Sequence, residues 1–377
     1  MNIFYDENMP FAKEFFGNIQ GTNTALTPFN GRTLTAEQVS DADVLLVRSI
    51  TQVNEQLLCK NKQLAFVGTA TIGVDHIDQL YLNSRDIPFY SAPGCNAVSV
   101  AEYVLSSLLH LAKKYQFNLS DKTVGIVGAG NTGSRLSEKL TALNINHVLC
   151  DPILEQSDDS RSFVSLDQAL ACDIISLHVP KTMTGCYATY HMLDEQRLSN
   201  LQDEQILINA CRGEVIDNQA LLSLKQQGMQ TRLVLDVWEN EPNVLMPLIE
   251  YAEIATAHIA GYSLEGKARG TEMLYQSLCE QLNLTPSISL STLLPKPVIE
   301  QVSIHQDFNE NILTQLSKMV YDVMRDDEIF RQQISEQGFD YIRKTYPARR
   351  EFSSLQIECL ANAKSNGCYG VGFSQVK

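Results

Sequence analysis

Apolar residues fall along this chain in short unbroken blocks rather than in strict alternation. Thr123-Val124-Gly125-Ile126-Val127, Val148-Leu149-Cys150, Asp173-Ile174-Ile175-Ser176-Leu177-His178 and Gln205-Ile206-Leu207-Ile208-Asn209-Ala210 are blocks of this kind. Arg232–Trp238 and Glu253–Thr256 continue the series. Between them the apolar residues move to helical spacing: Leu136, Leu140 and Leu143 share one side of 134–144, and 193–201 and 218–227 read as further helices. β-Branched and leucine runs without alternation predict strands covered on both faces. Strands of that type alternating with helices predict an α/β, doubly wound parallel sheet.

The first 95 residues repeat the pattern on a smaller scale. Ile3–Asp6, Val44–Val47 and Leu64–Val67 read as strands, and Pro10–Phe16 as a short helix. Arg48-Ser49 and the loop Gly68–Gly73 follow two of these strands, where open α/β sheets bind ligands. Ser91–Gly94 breaks the chain, and Ser99 with Glu102 predicts a capping box opening a long crossover helix. Leu293-Leu294-Pro295-Lys296-Pro297 reads as a linker. Beyond it, a strand over 298–304, an amphipathic helix over 309–325, a second helix and a last strand or two are expected. Ile312, Leu313, Leu316, Met319, Val320 and Val323 give that helix a broad apolar stripe. So small a tail is expected to pack on the main body or on a second subunit.

Composition narrows the setting. A net charge of −15 disfavours a nucleic-acid or anionic-membrane surface, and an anionic substrate must then find local cations. The nine cysteines form no C-x-x-C pair and no zinc spacing, so no metal site is expected and a reducing, cytoplasmic compartment is. The first residues lack a basic leader, and no apolar run approaches the ~18 residues of a spanning helix.

The most informative stretch is Gly128-Ala129-Gly130-Asn131-Thr132-Gly133, set between a strand and a helix. An acid, Asp151, ends the next strand 18 residues after the third glycine. The glycines permit a tight turn, close approach of a pyrophosphate and helix-on-strand packing, with phosphate at the helix N-terminus and the acid on ribose hydroxyls. A dinucleotide is the expected cofactor. Asp151, followed by Pro152 rather than arginine, favours NAD over NADP.

Arg212, Glu241 and His258 follow the ends of successive predicted strands. Oxidising a 2-hydroxy acid requires a cation for the carboxylate, a base for the hydroxyl proton and a group that holds the base. A forked guanidinium, an imidazole and a carboxylate supply these functions. Singly, each residue is as readily an ion pair, a turn or a satisfied core histidine.

With the glycine motif, the segments Asn209-Ala210-Cys211-Arg212-Gly213, Leu235–Pro242 and His258-Ile259-Ala260-Gly261 resemble the D-2-hydroxyacid dehydrogenase family. The resemblance implies Arg212 as carboxylate binder, His258 as acid/base and Glu241 as its partner. Gly128, Gly130, Asn131, Thr132, Gly133, Asp151, Ala210, Cys211, Asp236 and Gly261 would contact NAD, Asp236 on the nicotinamide side. The run His178–Thr184 departs from the family's usual threonine spacing.

Asp6–Pro10, Val67–Thr71, Pro93–Ala97, His258–Gly270, Tyr321–Asp327 and Arg349–Ser354 resemble one branch of that family. Its members oxidise 4-phospho-D-erythronate at C2 in pyridoxal 5′-phosphate synthesis and end in a dimerisation domain. This implies a flavodoxin-like substrate (lid) domain over 1–95 plus about 263–290. A Rossmann-type NAD domain over 96–262 and a small α+β dimerisation domain over 291–377 would complete the chain. Residues matching Ser49, Thr69 and Tyr262 would bind substrate. For the phosphate, Arg48, Ser49, Tyr262, Lys267, Arg269 and, reaching in from a partner subunit, Arg349 and Arg350 are all candidates. A phosphoglycerate or hydroxypyruvate dehydrogenase, and an NAD-sensing binding protein on the same scaffold, are the rival readings.

Overall fold

The computed structural model describes residues 1–19, 21, 23–359 and 366–376. The chain divides into two compact units, Met1–Asn96 with Ser263–Pro295, and Ala97–Tyr262 with Lys296–Lys377.

In the first unit, β1 (Asn2–Asp6), β2 (Ala25–Phe29), β3 (Val44–Val47), β4 (Phe66–Thr69) and β5 (Phe89–Tyr90) form a parallel sheet in the order β2-β1-β3-β4-β5. That is the flavodoxin-like order expected. β2 and β5 had no apolar block to announce them. They are edge strands, and β2 is mostly exposed and carries Pro28, which an edge position tolerates. The helix Leu264–Gln281 returns to this unit and buries Leu274, Tyr275 and Leu278 with Phe15, Phe16 and Phe66. A Cβ on Gly270 of that helix would lie 2.6 Å from the Ala70 carbonyl oxygen. Only glycine lets the helix lie directly on the loop after β4.

The second unit holds β6 (Thr123–Val127), β7 (Asn146–Cys150), β8 (Ile174–Leu177), β9 (Ile206–Asn209), β10 (Arg232–Leu235) and β11 (Ala252–Ala255). They are all parallel, in the order β11-β10-β9-β8-β6-β7. β8 and β9 are buried throughout, as the unbroken apolar blocks require. The chain leaves β6 toward β7 and then crosses to β8 on the other side. The crevice between β6 and β8 is therefore the switch point of the sheet.

Several local expectations are corrected. The long helix begins at Ala97, so Ser99 and Glu102 lie inside it and form no capping box. Ser99 instead donates to the Ala260 carbonyl at 2.8 Å, and the buried Glu102 accepts the Phe352 N–H and faces Lys139. The tail strand shortens to β12 (Gln301–Ile304), which pairs in parallel with β13 (Gln356–Cys359), itself beside β14 (Ser374–Gln375). The helix expected over 309–325 is two helices, Glu310–Val320 and Val323–Gln337. Tyr321 between them is extended, its buried hydroxyl donates to Asp326, and Asp322 caps the second helix at the Met324 N–H. A new cap and a buried tyrosine outweigh the continuing apolar period.

The tail packs as part of the second unit. Asp327 accepts the Ala255 N–H at 2.7 Å, Arg331 donates to the Ile249 and Ala252 carbonyls, and Phe330 stacks on Trp238. The edge of β11 is thereby covered. Arg349 was a candidate to reach into a partner's site, and it does not. It is 1 % exposed, donates to the Ala260 and Ser99 carbonyls of its own chain and lies 3.5 Å over the Tyr321 ring. None of the nine cysteines is in a disulfide. No helix among the described residues is long and apolar enough to cross a membrane.

Candidate active site

The catalytic candidates follow three neighbouring strands. Arg212 comes after β9, Asp236 and Glu241 after β10, and His258 after β11. Because these strands are parallel and adjacent, their carboxyl ends form one edge of the sheet. The glycine loop after β6 and Asp151 after β7 lie on that same edge.

His258 is held from two directions. Its backbone is left-handed, with φ 56°, a conformation an L-residue adopts only when its surroundings enforce it. Asp236 does so: its carbonyl accepts the His258 N–H at 2.6 Å, and its carboxylate accepts the Ile259 and Ala260 N–H groups and the Thr256 hydroxyl. Burial pushes this carboxyl above its ordinary value, against the pull of His258 and these donors. Expected at the nicotinamide, Asp236 is 1 % exposed and in this structure clamps the loop that carries His258.

The imidazole Nδ1 lies 2.7 Å from Glu241 Oε2, and the other carboxylate oxygen accepts the Trp238 N–H at 2.9 Å. A carboxylate only accepts, so Nδ1 carries the hydrogen and neutral His258 presents Nε2 as its basic nitrogen. Burial pushes the Glu241 carboxyl up. The protonated form of His258, the hydrogen bond from its ring, the Trp238 N–H and the Arg343 guanidinium outweigh it and hold the group below its ordinary value.

Arg212 sits at a tight turn. Asn209 donates to its carbonyl at 2.9 Å, and its own Nη1 donates to the Cys211 carbonyl. A Cβ on Gly213 would fall 1.9 Å from the Trp238 carbonyl carbon, so this turn and the loop leading to Glu241 are packed backbone to backbone. Cys211 is buried and its thiol is pushed up to about 11 by burial. It remains a neutral thiol beside half-buried Ala210.

The glycine loop fits a dinucleotide. A Cβ on Gly128 would lie 2.6 Å from the His178 carbonyl, and one on Gly133 2.0 Å from the Gly128 carbonyl oxygen. A Cβ on the exposed Gly130 would meet nothing within 4 Å. The first and third glycines are thus demanded by packing, and the second leaves an open face. The helix Asn131–Ala142 starts directly beneath, leaving the N–H groups of Asn131, Thr132 and Gly133 for phosphate. Asp151 accepts the Ala129 N–H at 2.9 Å and caps the short helix after it through Leu154. Each of its oxygens has a second lone pair for a ribose hydroxyl. Gly261, half-buried, follows the clamped loop.

The substrate candidates divide between the units. In the first, Ser49 is exposed after β3, while Arg48 Nη1 is buried without a partner. Lys267, in the first turn of the returning helix, is pushed down to about 8 by burial and by Arg48. Two cations crowded in this way fit an anion. Arg269 donates to the Cys95 carbonyl. Thr69 is buried and its hydroxyl meets Thr71 and His76, at 2.8 and 3.0 Å.

In the second unit, Tyr262 accepts a 2.8 Å hydrogen bond from Arg343, a tail residue that no motif singled out. The positive charge in a tail helix that also carries Phe339 was the one available signal. A second feature missed in the sequence is the group His191, Asp217 and Glu239, whose ligand atoms lie within 4.8 Å of one another. His191 Nε2 is 2.6 Å from Glu239, which also accepts the Asn218 N–H, and Asp217 caps a helix. These groups satisfy each other.

Residues 103–260 match the family model of the D-isomer specific 2-hydroxyacid dehydrogenase NAD binding domain, and 293–372 match a domain of unknown function (DUF3410). The erythronate-4-phosphate dehydrogenase of Colwellia psychrerythraea is 58% identical over 392 aligned residues, covering 100% of both chains. The chain belongs to the erythronate-4-phosphate dehydrogenase family. A second member, from Psychromonas ingrahamii, is 54% identical over 95% of this chain and 93% of its own. Among solved structures, D-lactate dehydrogenase from Aquifex aeolicus, complexed with NAD and lactic acid, superposes with TM-score 0.60 at 26% identity. That match covers 75% of this chain and 96% of the other. Phosphoglycerate dehydrogenase from Entamoeba histolytica (21% identity, TM-score 0.63, 77% and 98% covered) shares the fold. The α/β parallel-sheet dehydrogenase fold expected from the sequence is the one observed.

Proposed function

We propose that this family member oxidises 4-phospho-D-erythronate at C2 to (R)-3-hydroxy-2-oxo-4-phosphooxybutanoate with NAD, a step of pyridoxal 5′-phosphate synthesis. The observation that carries the chemistry is the His258–Glu241 pair, 2.7 Å apart on a clamped loop at the sheet edge that bears the glycine loop. The full-length identity to named relatives carries the choice of substrate.

When bound, the nicotinamide supplies the hydride acceptor. His258 Nε2 takes the C2 hydroxyl proton, and Glu241, ionised and hydrogen-bonded at Nδ1, stabilises the imidazolium that forms. Arg212 grips the carboxylate through its fork and draws charge toward the developing carbonyl. Gly128, Gly130, Asn131, Thr132, Gly133 and Asp151 hold the pyrophosphate and ribose. Ala210, Cys211, Asp236 and Gly261 shape the nicotinamide end. Arg48, Ser49, Thr69 and Tyr262 are assigned to substrate, and Arg48, Lys267 and Tyr262 to its phosphate.

Division into substrate, NAD and C-terminal domains at about residues 95, 262 and 290 belongs to the same proposal, as do a cytoplasmic setting and a homodimer formed through the tail. Exposed Met319, Val298 and Ile299 support the dimer, with the roughly 190 Å³ hollow they line together with Val320 and Leu355.

A coupled assay of NADH production tests the substrate. 4-Phospho-D-erythronate is expected to exceed D-erythronate in kcat/KM by at least about a hundredfold, as one or two lost charged hydrogen bonds imply, and to exceed 3-phospho-D-glycerate as well. A ratio near one for the first pair removes the phosphate site. Preference for phosphoglycerate replaces the assignment.

A further inference from the structure

Arg343 stands in the tail helix Phe339–Lys344, far in sequence from every dehydrogenase motif. Its Nη2 donates to the Tyr262 hydroxyl at 2.8 Å, and its guanidinium lies 5.4 Å from the Tyr262 ring centre and 5.8 Å from that of Phe339. Its Nε is buried and has no partner. The tyrosine ring is also held by another tail residue: the Tyr346 ring lies 5.8 Å from it in a T-shaped contact, and Tyr346 is anchored through its hydroxyl to Asp326 at 2.6 Å. Glu241 and Asp236 both act on the charge of Arg343, which places it in the field of the acid/base pair.

An arginine has donors and no acceptor, so in the Arg343–Tyr262 bond the phenol oxygen must accept. The phenol's own hydrogen is thereby turned away from Arg343. Tyr262 lies four residues after His258, on the stretch that leaves the clamped loop. We propose that Arg343 is a positioning residue for substrate specificity, orienting the Tyr262 hydroxyl to donate to the substrate phosphate and adding positive charge behind it. The inference rests on the assignment of Tyr262 to the substrate. It gives the C-terminal domain a part in recognition within its own subunit, beyond any role in assembly.

A merely structural arginine would affect all substrates alike, so the test is discrimination. Arg343→Gln should lower kcat/KM for 4-phospho-D-erythronate about tenfold to a hundredfold, the span of one charge-assisted hydrogen bond. For unphosphorylated D-erythronate it should fall by less than about threefold, because Arg343 is the smallest of the influences holding Glu241 down, with NADH affinity by fluorescence titration unchanged. In a Tyr262→Phe background the same substitution should add less than about threefold, because its route is already cut. Arg343→Lys, which keeps the charge and the fold but not the planar fork, should fall between. Equal losses for both acids, or additive losses with Tyr262→Phe, overturn the inference and make Arg343 a strut. If the wild-type chain fails to oxidise the phosphorylated acid at all, the functional reading falls and this inference with it.

Discussion

His258 Nδ1 and Glu241 Oε2 lie 2.7 Å apart across 17 residues of sequence. The contact exists because β10 and β11 are parallel neighbours whose following loops share one edge of the sheet. Glu241 is fixed by the Trp238 N–H and His258 by the Asp236 carbonyl, so neither partner has to be ordered when substrate arrives.

That geometry sets the first expectation. His258→Ala should lower kcat by about two to four powers of ten with NADH affinity retained, since only the proton acceptor is lost. Glu241→Gln keeps the shape and removes the charge, so its loss should fall in kcat rather than in KM. Single-turnover kinetics with saturating cofactor measure both, and unchanged turnover in His258→Ala removes it from the chemistry.

The role proposed for Asp151 sets the second expectation. Its carboxylate repels a 2′-phosphate, and NAD should exceed NADP in kcat/KM by at least about a hundredfold. Since Asp151 also holds the Ala129 N–H and caps a helix, Asp151→Ala should lower Tm as well. Comparable efficiency with the two cofactors would free Asp151 of this role.

The role proposed for Lys267 predicts a pH limb. Burial and Arg48 push its ammonium down to about 8, so the free enzyme loses this charge as pH rises through that value. A bound phosphate favours the protonated form, and affinity must therefore fall on the alkaline side. KM for the phosphorylated acid should climb above about pH 8, and Lys267→Arg, charged throughout, should flatten the limb. A KM profile identical in the two proteins excludes Lys267 from the phosphate.

The tail cannot simply be removed to test dimerisation, because Phe330, Asp327 and Arg331 cover the β11 edge. Cutting near Leu294 should therefore give insoluble protein whatever the oligomeric state. Met319→Glu with Val298→Glu alters only exposed positions, and sedimentation should then show monomers with Tm little changed. A wild-type chain that sediments as a monomer at micromolar concentration would contradict the dimer.

Gly213→Ala tests the packing of the arginine turn. Its Cβ would fall 1.9 Å from the Trp238 carbonyl carbon, and backbone there cannot move without displacing Glu241. A loss of Tm by several degrees together with a kcat loss is expected, and a neutral substitution would mean the turn and the loop after β10 are not coupled.

The blocks at 123–127, 174–177, 206–209 and 232–235 were legible because a strand buried on both faces must be apolar along its whole length. The glycine motif was legible because each glycine answers a backbone clash that a side chain would cause, as Gly128 and Gly133 do. Arg212, Glu241 and His258 were legible as strand-end residues, since parallel order alone brings such ends to one edge. The sequence by itself thus determined the sheet, the nucleotide loop and the candidates for the chemistry. Tertiary structure alone decided the rest. Asp236 is a clamp because the loop after β11 folds back on it, Ser99 bonds to Ala260 instead of capping its helix, and Arg349 is buried in its own chain. Arg343 reaches Tyr262 across 81 residues. Such contacts follow from where helices land on one another, and no periodicity or spacing along a chain encodes the angle at which a tail returns.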